Sequence, residues 1–360
     1  MPLFIFENNI EDNIKIIKEK TNKSIIAVIK NNAYELNSKK IIQILKKNKV
    51  NFFAFEKLKE YIQNKQDLNN SSVLIMESLT KNQIESIDTN NVRISINSVI
   101  DAIRIKDIQK KIIVHIRVDT GMNRLGLRTI EELNWVKNLL QENELIKLEG
   151  LYTHFSSDVN ESKYYQKQYN LFEKFLKNQK FEIIHANSTK TLHQKLIGNY
   201  VRIGMAMYGY HQPNLPLKPI ISYKIRPCNL FYPKYNKKVS YFQKKTNKFI
   251  GVIPIGYHDI NLDKISNIYY KNQKLEILGK SCMNHTHFIA NDKINYLSWL
   301  SIFPTNGIID IGDEYNWYLI LSSLKTIPKT YLRRKNYDIP KVLKCSGKTR
   351  VGSIPRKRSN

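Results

Sequence analysis

The chain of 360 residues is long enough for one large α/β domain and a smaller second domain. Hydrophobic residues make up 42% of it and charged residues 25%, which are ordinary fractions for a globular enzyme. The sequence excludes a membrane-spanning helix, because no sufficiently long apolar run occurs. Its start has no basic segment followed by an apolar core, so we expect no signal peptide and a cytoplasmic location.

The net charge of +27 is the outlier of the composition. Lysines are scattered along the chain, and Lys, Asn, Ile and Tyr are all abundant, which is typical of biased residue usage. We therefore predict neither a nucleic-acid partner nor a membrane partner. Binding to nucleic acid with a steep salt dependence would contradict that interpretation. The three cysteines form no closely spaced pair, so no metal site and no disulfide scaffold are predicted.

The first two thirds of the sequence alternate β-branched or aromatic segments with helical patterns, as parallel β–α–β units do. The predicted strands are Ile25–Ile29, Phe52–Phe55, Val73–Met76, Val92–Ile96, Ile112–Val118, Leu148–Thr153, Glu182–His185 and Tyr200–Met205. The clearest helix is Ser162–Leu176, which carries an aromatic stripe at helical spacing that we interpret as core. Eight strands with intervening helices predict a (β/α)8 barrel.

After about Ser222 the pattern changes to short β-rich segments separated by turn signals. The predicted strands of this part are Ile221–Ile225, Lys238–Phe242, Phe249–Ile255, Lys274–Leu278, Ile308–Ile311 and Trp317–Leu321. We therefore predict an α/β protein with an N-terminal barrel over residues 1–222 and a mostly β domain over residues 223–360. The first few residues could pair with the β domain.

Candidate functional residues follow the predicted barrel strands, since barrels place their active sites at the C-terminal ends of strands. Lys30 follows the first strand in SIIAVIKNNAYE, at the mouth of an apolar barrel, where a lysine amine is suited to imine chemistry. Later strand ends, in HIRVDTGMNRLG, GLYTHF, HANS and YVRIGMAMYG, deliver Arg117, Asp119, Arg124, His154, Asn187, Ser188, Arg202, Gly204 and Met205. Small residues after the last two strands are typical of phosphate binding in barrels.

These segments resemble those of the alanine racemase family, whose first strand carries the cofactor lysine in a motif close to AVIKNNAY. The resemblance runs from FENNIEDNIKII to about Arg350, and it includes IPIGYHD and GKSCMN in the predicted β domain. Six motifs in the same order make it specific. The resemblance implies a barrel-type racemase that uses pyridoxal 5′-phosphate to interconvert L-alanine and D-alanine, supplying D-alanine for the cell wall.

The resemblance also implies residue roles. Lys30 would hold the cofactor as a Schiff base and act on the D-enantiomer, while Tyr257 would be the base for the L-enantiomer. Arg202 would face the pyridine nitrogen without protonating it, and His154 would link Arg202 to Tyr257. The phosphate contacts would be Tyr34, Ser188 and the backbone N–H groups of Gly204 and Met205; the substrate carboxylate contacts would be Arg124 and the Met283 backbone N–H. Because the family's tyrosine comes from the partner subunit, a homodimer with shared active sites is expected.

Several positions depart from the family pattern. Glu35 stands in the family's glycine-rich continuation, Arg117 replaces a lysine that is frequently carbamylated, His258 and Ile260 replace small residues, and Asn284 replaces an aspartate. A positive Arg117 cannot supply the negative charge that orients the neighbouring arginine. Catalytic efficiency and substrate choice therefore stay open.

Four alternatives follow from these departures. The chain could be a broader or serine-type racemase, or a protein that binds pyridoxal phosphate with weak activity. The tyrosine of IPIGYHD argues against a carrier, since such carriers lack the β domain. A decarboxylase of similar plan would normally have a glycine-rich phosphate loop, which is not found here. A basic nucleic-acid-binding protein on a racemase scaffold is the last alternative.

Overall fold

The computed structural model describes residues 3–156, 162–210, 214–234, 238–241, 244–260, 265, 267–271, 273–303, 317–324 and 327–333. After β1 (Leu3–Phe6), eight parallel strands form a closed barrel. They are β2 (Ser24–Val28), β3 (Phe52–Phe55), β4 (Ser72–Ile75), β5 (Val92–Ile96), β6 (Ile112–Arg117), β7 (Ile146–Tyr152), β8 (Ile183–Ser188) and β9 (Tyr200–Ile203). The barrel closes where Ser24 of β2 pairs with Tyr200 of β9. The predicted (β/α)8 architecture is confirmed.

Helices surround the barrel. They are α1 (Glu7–Thr21), α2 (Lys30–Glu35), α3 (Ser38–Lys47), α4 (Leu58–Asn64), α5 (Lys81–Glu85), α6 (Val99–Ile105), α7 (Ile130–Gln141) and α8 (Ser162–Leu176), with short 3-10 helices at Lys65–Leu68, Thr189–Thr191 and Met205–Tyr208. Side-chain oxygens of Thr80, Ser98 and Thr129 accept backbone N–H groups and begin three of these helices. The aromatic stripe of α8 is core, as predicted: Tyr165 and Phe172 are almost fully buried.

The barrel interior is divided into an apolar and a polar half. Ile26, Phe52, Ala54 and Leu74, from β2, β3 and β4, form one buried apolar cluster. The strands β5 to β9 instead direct buried polar side chains inward, where they bond to one another: Ser95, His115, Glu149, Tyr152, His185 and Arg202. Barrels normally fill this space with branched apolar residues. The polar half therefore requires a reason beyond packing, because buried ionisable groups are costly.

The remaining strands build a mostly β region. They are β10 (Ile221–Ile225), β11 (Asn229–Phe231), β12 (Lys238–Val239), β13 (Lys244–Lys245), β14 (Ile250–Ile253), β15 (Asn267–Tyr270), β16 (Gln273–Glu276), β17 (Thr286–Ile289), β18 (Leu300–Ser301) and β19 (Lys329–Leu332). One sheet has the order β16-β15-β18-β10-β1-β19, a second has β11-β14-β17, and β12 pairs with β13. The N-terminal β1 thus lies between β10, to which it is antiparallel, and β19, to which it is parallel.

One predicted strand is wrong. Residues 317–321 belong to a helix, α9 (Trp317–Ser323), rather than to a strand. A short continuous apolar run fits either a buried strand or a buried helix, and length cannot separate them at seven residues. In the structure Ile320, Leu321 and Leu324 are buried at helical spacing. The predicted strand Ile308–Ile311 lies outside the described residues. In the described part of the chain, no helix is long and apolar enough to cross a bilayer.

Candidate active site

A cavity of about 300 Å³ opens at the C-terminal ends of the barrel strands. Eight of the candidate residues line it: Lys30, Tyr34, Arg117, Arg124, His154, Ser188, Arg202 and Gly204. Its wall also contains Val28, Glu56, Met76, Met122, Tyr152, Phe155, Ser156, Thr189 and Lys190. All of these residues belong to the barrel part of the chain. The candidate residues at the strand ends therefore lie around one cavity.

Lys30 begins the segment named α2, whose following residues form a left-handed turn rather than a right-handed helix. The next five residues, 31–35, all have φ between +51° and +63°, although none is glycine. Such a conformation costs an L-residue about 1–2 kcal/mol, so the surrounding structure must hold it. The Asn31 N–H donates to the Glu60 carboxylate, and Asn32 Oδ1 accepts from the Ser38 N–H at 2.8 Å. Glu35, at φ +63°, thus occupies a conformation that favours glycine.

The left-handed turn directs Tyr34 toward Gly204. The Tyr34 ring is buried and packs edge-on against Tyr208 at 5.8 Å. A Cβ atom added to Gly204 would collide with the Tyr34 hydroxyl. Glycine at this position therefore makes room for the Tyr34 hydroxyl. Tyr34, Gly204 and Ser188 line the cavity together, and we call this group the cradle. Hydroxyl and backbone groups around a small cradle are suited to a phosphate.

Arg202 is held by the ends of β7 and β8. Its two terminal nitrogens donate to His185 Nδ1 and O, Thr153 O, Ala186 O and His154 Nδ1, over distances from 2.6 to 3.2 Å. Burial, together with the charges of Arg117 and Arg124, lowers the pKa of Arg202 to about 10. Arg202 therefore remains a cation at neutral pH, with its guanidinium group fixed in one orientation.

His154 is neutral in this environment. Burial and the charges of Arg202, Arg117, Arg124 and Lys30 lower its pKa well below the ordinary value for histidine. Since Arg202 can only donate, His154 Nδ1 must accept from it. The proton of the neutral ring then resides on Nε2, which makes that nitrogen a donor.

The cavity wall is strongly cationic. Lys30, Arg117, Arg124, Lys190 and Arg202 all contribute to it, whereas Glu56 is the acidic residue among the lining residues described. Lys30 Nζ lies 3.9 Å from Glu56 Oε2, a loose contact between two half-buried groups. Arg117 is 95% buried, and its Nε atom has no hydrogen-bond partner in the described residues. A wall of this charge suits a ligand that carries several negative charges.

The two β-domain residues expected at the site lie elsewhere, on an exposed surface. Tyr257 and Met283 are each 53% exposed, and neither lines the cavity within the described part of the chain. Their segments are joined: the Tyr257 N–H donates to Cys282 O and the His258 N–H to Met283 O, both at 3.1 Å. IPIGYHD and GKSCMN therefore form one exposed surface, which we call the tyrosine face. One chain presents the cavity and the tyrosine face as separate parts.

Some residues of the cavity wall were missed, and three of the candidates, Asp119, Asn187 and Met205, are not among the lining residues described. Glu56 and Met76 directly follow β3 and β4, so the rule of strand ends, applied to every strand, would have found them. Asp119 forms its own loop by accepting the Gly121 and Asn123 N–H groups. Asn187 bonds to the Tyr165 hydroxyl and is fully buried. Met205 is also buried, at the start of the 3-10 helix after Gly204.

Comparison with known proteins identifies the family. Residues 5–212 match the sequence profile of the alanine racemase N-terminal domain. An alanine racemase of Borreliella burgdorferi is 32% identical over 304 residues, covering 78% of this chain and 81% of the relative. One from Staphylococcus carnosus is 28% identical over 317 residues, covering 82% and 79%.

Solved structures agree on the fold. The crystal structure of biosynthetic alanine racemase from Pseudomonas aeruginosa matches with a TM-score of 0.84 at 17% identity, covering 92% of this chain and 99% of that chain. Alanine racemase from E. faecalis matches with a TM-score of 0.79 at 21% identity, covering 92% and 98%. A barrel with a separate, mostly β region is thus common to all of them. On these matches and on the motifs at its strand ends, the chain belongs to the alanine racemase family.

Proposed function

We propose that this protein interconverts L-alanine and D-alanine with pyridoxal 5′-phosphate bound at Lys30. The observation that carries the proposal is the cavity itself, in which Lys30, the cradle at Gly204 and the buried Arg202 line one space. The alanine racemases among its relatives support the substrate. The fold alone does not fix it, because a histidine racemase from Leuconostoc mesenteroides also matches, with a TM-score of 0.74 at 18% identity.

The cavity residues fit the cofactor. Tyr34, Ser188 and the backbone N–H groups of Gly204 and Met205 would hold the phosphate, and Lys30 would bind the aldehyde carbon. Arg202 uses its terminal nitrogens on protein acceptors, so its Nε–H group is available to donate to the pyridine nitrogen. When bound, pyridoxal phosphate withdraws electrons from the substrate α-carbon and makes its proton removable.

Racemisation requires a proton carrier on each face of the α-carbon. Lys30 Nζ is one, and we propose that Tyr257 of a second copy of the chain is the other. The neutral His154 would donate from Nε2 to the Tyr257 oxygen and so hold that oxygen in place at the α-carbon. Arg124, exposed at the cavity mouth, and the Met283 backbone N–H of the tyrosine face would hold the substrate carboxylate.

The proposal requires a homodimer, because the cavity of one chain is lined by its own barrel while its Tyr257 is exposed. In such a dimer each tyrosine face covers the partner's cavity. An obligate pair of this kind would bury Tyr257 and Met283, which are large residues exposed in the single chain. The expectations of a cytoplasmic enzyme that serves cell-wall synthesis and has no nucleic-acid partner stay predictions.

A racemisation assay tests the activity. Purified protein saturated with pyridoxal phosphate is supplied with L-alanine, and D-alanine is measured with a D-amino-acid oxidase coupled to peroxidase. We expect D-alanine to form from L-alanine, with L-serine as the comparison substrate. Tight cofactor binding without D-alanine formation would instead establish a pyridoxal phosphate carrier, and a faster reaction of serine would change the proposed substrate.

Subunit complementation tests the shared site. Lys30→Ala and Tyr257→Phe chains are each expected to be inactive, and they are mixed through partial denaturation and refolding. If the two residues come from different chains, a mixed dimer has one intact site, so the mixture regains about a quarter of the wild-type activity. A mixture that stays inactive, while refolded wild-type protein recovers, would show that each site takes both residues from one chain.

A further inference from the structure

The polar half of the barrel interior contains a continuous hydrogen-bond chain beneath the cavity. Arg202 Nη1 lies 2.7 Å from His185 Nδ1, and His185 Nε2 lies 2.9 Å from His115 Nδ1. His115 Nε2 then lies 3.0 Å from Glu149 Oε2. At the far end, the Arg93 guanidinium group forms a bidentate salt bridge with the same carboxylate, with N–O distances of 2.7 and 3.0 Å. We call this set of residues the core chain.

The core chain has one direction, which the chemistry of its ends fixes. Arginine has only donors, so His185 Nδ1 must accept. A neutral His185 then carries its proton on Nε2 and donates it to His115 Nδ1. By the same rule His115 carries its proton on Nε2 and donates it to Glu149, which as a carboxylate only accepts. Each ring accepts on Nδ1 and donates on Nε2. Every contact of the core chain therefore has one donor and one acceptor.

Burial and packing favour that arrangement. His115 and His185 are fully buried, and burial lowers the pKa of both rings, so they are neutral. The His185 ring stacks on Tyr152 at 4.6 Å, with 11° between their planes. A Cβ on Gly150 would lie 2.6 Å from the His115 ring, so glycine in β7 makes room for this histidine. Gly150 and the Tyr152 ring therefore hold the two histidine rings in their positions in the core chain.

The path joins opposite charges across the barrel. Glu149 lies in the middle of β7, five residues before His154, which corresponds to about 16 Å along an extended strand. It is 96% buried, like Arg202. Two directed histidines therefore connect the cation that faces the cavity to a buried carboxylate, whose other partners are Arg93 and, at 3.8 Å, Lys147.

We propose that Glu149 is a positioning residue for Arg202 and acts on it through His115 and His185. The Glu149 carboxylate holds the proton of His115 on Nε2, so that His115 Nδ1 accepts from His185. His185 then has its proton on Nε2, and its Nδ1 is left to accept from Arg202. The hydrogen bond to His185 thereby fixes which edge of the Arg202 guanidinium group points into the cavity. The inference rests on the proposed function only for its kinetic readout, because the proton positions can be measured without turnover.

The first test measures the proton positions in the wild-type holoenzyme. The protein is labelled with 15N-histidine, and two-dimensional spectra that correlate ring nitrogens with ring carbon protons identify the tautomer of each buried ring; His115→Gln and His185→Asn assign the signals. We expect both rings to be neutral with the proton on Nε2. A proton on Nδ1 of either ring would overturn the direction of the core chain, whatever the activity of the enzyme.

The second test removes the charge and keeps the shape. Glu149→Gln can keep an oxygen at the position shared by His115 and Arg93, whereas the negative charge is lost. The matched control is Glu182→Gln, the same change in an exposed carboxylate that bonds to Lys147 near the same end of the barrel. We expect Glu149→Gln to lower kcat about tenfold with little change in KM, as displacement of an orienting group does, and Glu182→Gln to stay within about twofold of wild type.

The outcomes separate the hypotheses. Glu149→Gln activity equal to that of Glu182→Gln would overturn the positioning role. If Glu149→Gln does not fold, His115→Gln interrupts the path without leaving a buried charge unpaired, and the same fall in kcat is expected. A wild-type enzyme without racemase activity would refute the proposed function, while the tautomer spectra would still decide the direction of the core chain.

Discussion

Glu149 should make a stability contribution that depends on pH, and the structure gives its size. Burial alone raises the pKa of Glu149, but the hydrogen bonds from His115 and Arg93 outweigh it and lower the pKa from 4.5 to about 2. Because the folded pKa lies below the unfolded one, the ionised carboxylate stabilises the fold above pH 4.5. The stabilisation is lost as the pH falls toward 2. The shift corresponds to about 3 kcal/mol at neutral pH, of which roughly half is left at pH 3.

Urea unfolding of wild type and Glu149→Gln, followed by far-ultraviolet circular dichroism, measures this contribution. Taking the difference between the two proteins at each pH removes the titration of the other carboxylates. We expect Glu149→Gln to be less stable by about 3 kcal/mol at pH 7 and by about half that amount at pH 3. Glu182→Gln, in a surface ion pair, should differ from wild type by less than about 1 kcal/mol throughout. A difference that is absent at pH 7, or that stays constant down to pH 3, would refute the reasoning.

Three further predictions concern the cavity. Lys30→Ala should fold but lack the visible absorption band of the lysine-bound cofactor; a band that persists would mean that another group holds it. Gly204→Ala places a Cβ against the Tyr34 hydroxyl and should weaken cofactor affinity about tenfold or more, measured by fluorescence titration, because the tight contact costs about 1–3 kcal/mol; unchanged affinity would contradict the cradle. Tyr257→Phe should lower kcat/KM equally in both directions, since enantiomers have equal free energies, while Lys30 still exchanges the α-proton of D-alanine with deuterated solvent; loss of that exchange would contradict the assignment of one base to each face.

Local sequence patterns were sufficient for the barrel and for much of its site. Phe52–Phe55, Val92–Ile96 and the helix Ser162–Leu176 have the predicted bounds, because continuous apolar runs and helical periodicity are written in neighbouring residues. Lys30 and Arg202 could be expected at one cavity for a similar reason. In a parallel barrel the C-terminal ends of all strands lie at the same mouth, so residues that follow predicted strands can be expected near one another.

The tertiary structure decided what no local pattern contains. The left-handed turn from Asn31 to Glu35 is unfavourable for its own residues and persists through contacts with Glu60 and Ser38. The helix α9 and the exposed position of Tyr257 likewise depend on which surfaces are covered.

The core chain shows the difference most clearly. Its members, Arg93, His115, Glu149, His185 and Arg202, lie on five different strands. Each is an ordinary polar residue in its own segment of the sequence. Only the assembly of β5 to β9 side by side brings the five side chains into hydrogen-bond distance, because hydrogen bonds between side chains require a geometry that sequence spacing does not encode. The sequence by itself determined the barrel and the lysine at its mouth, while the tertiary structure determined how Arg202, on the neighbouring strand, is held.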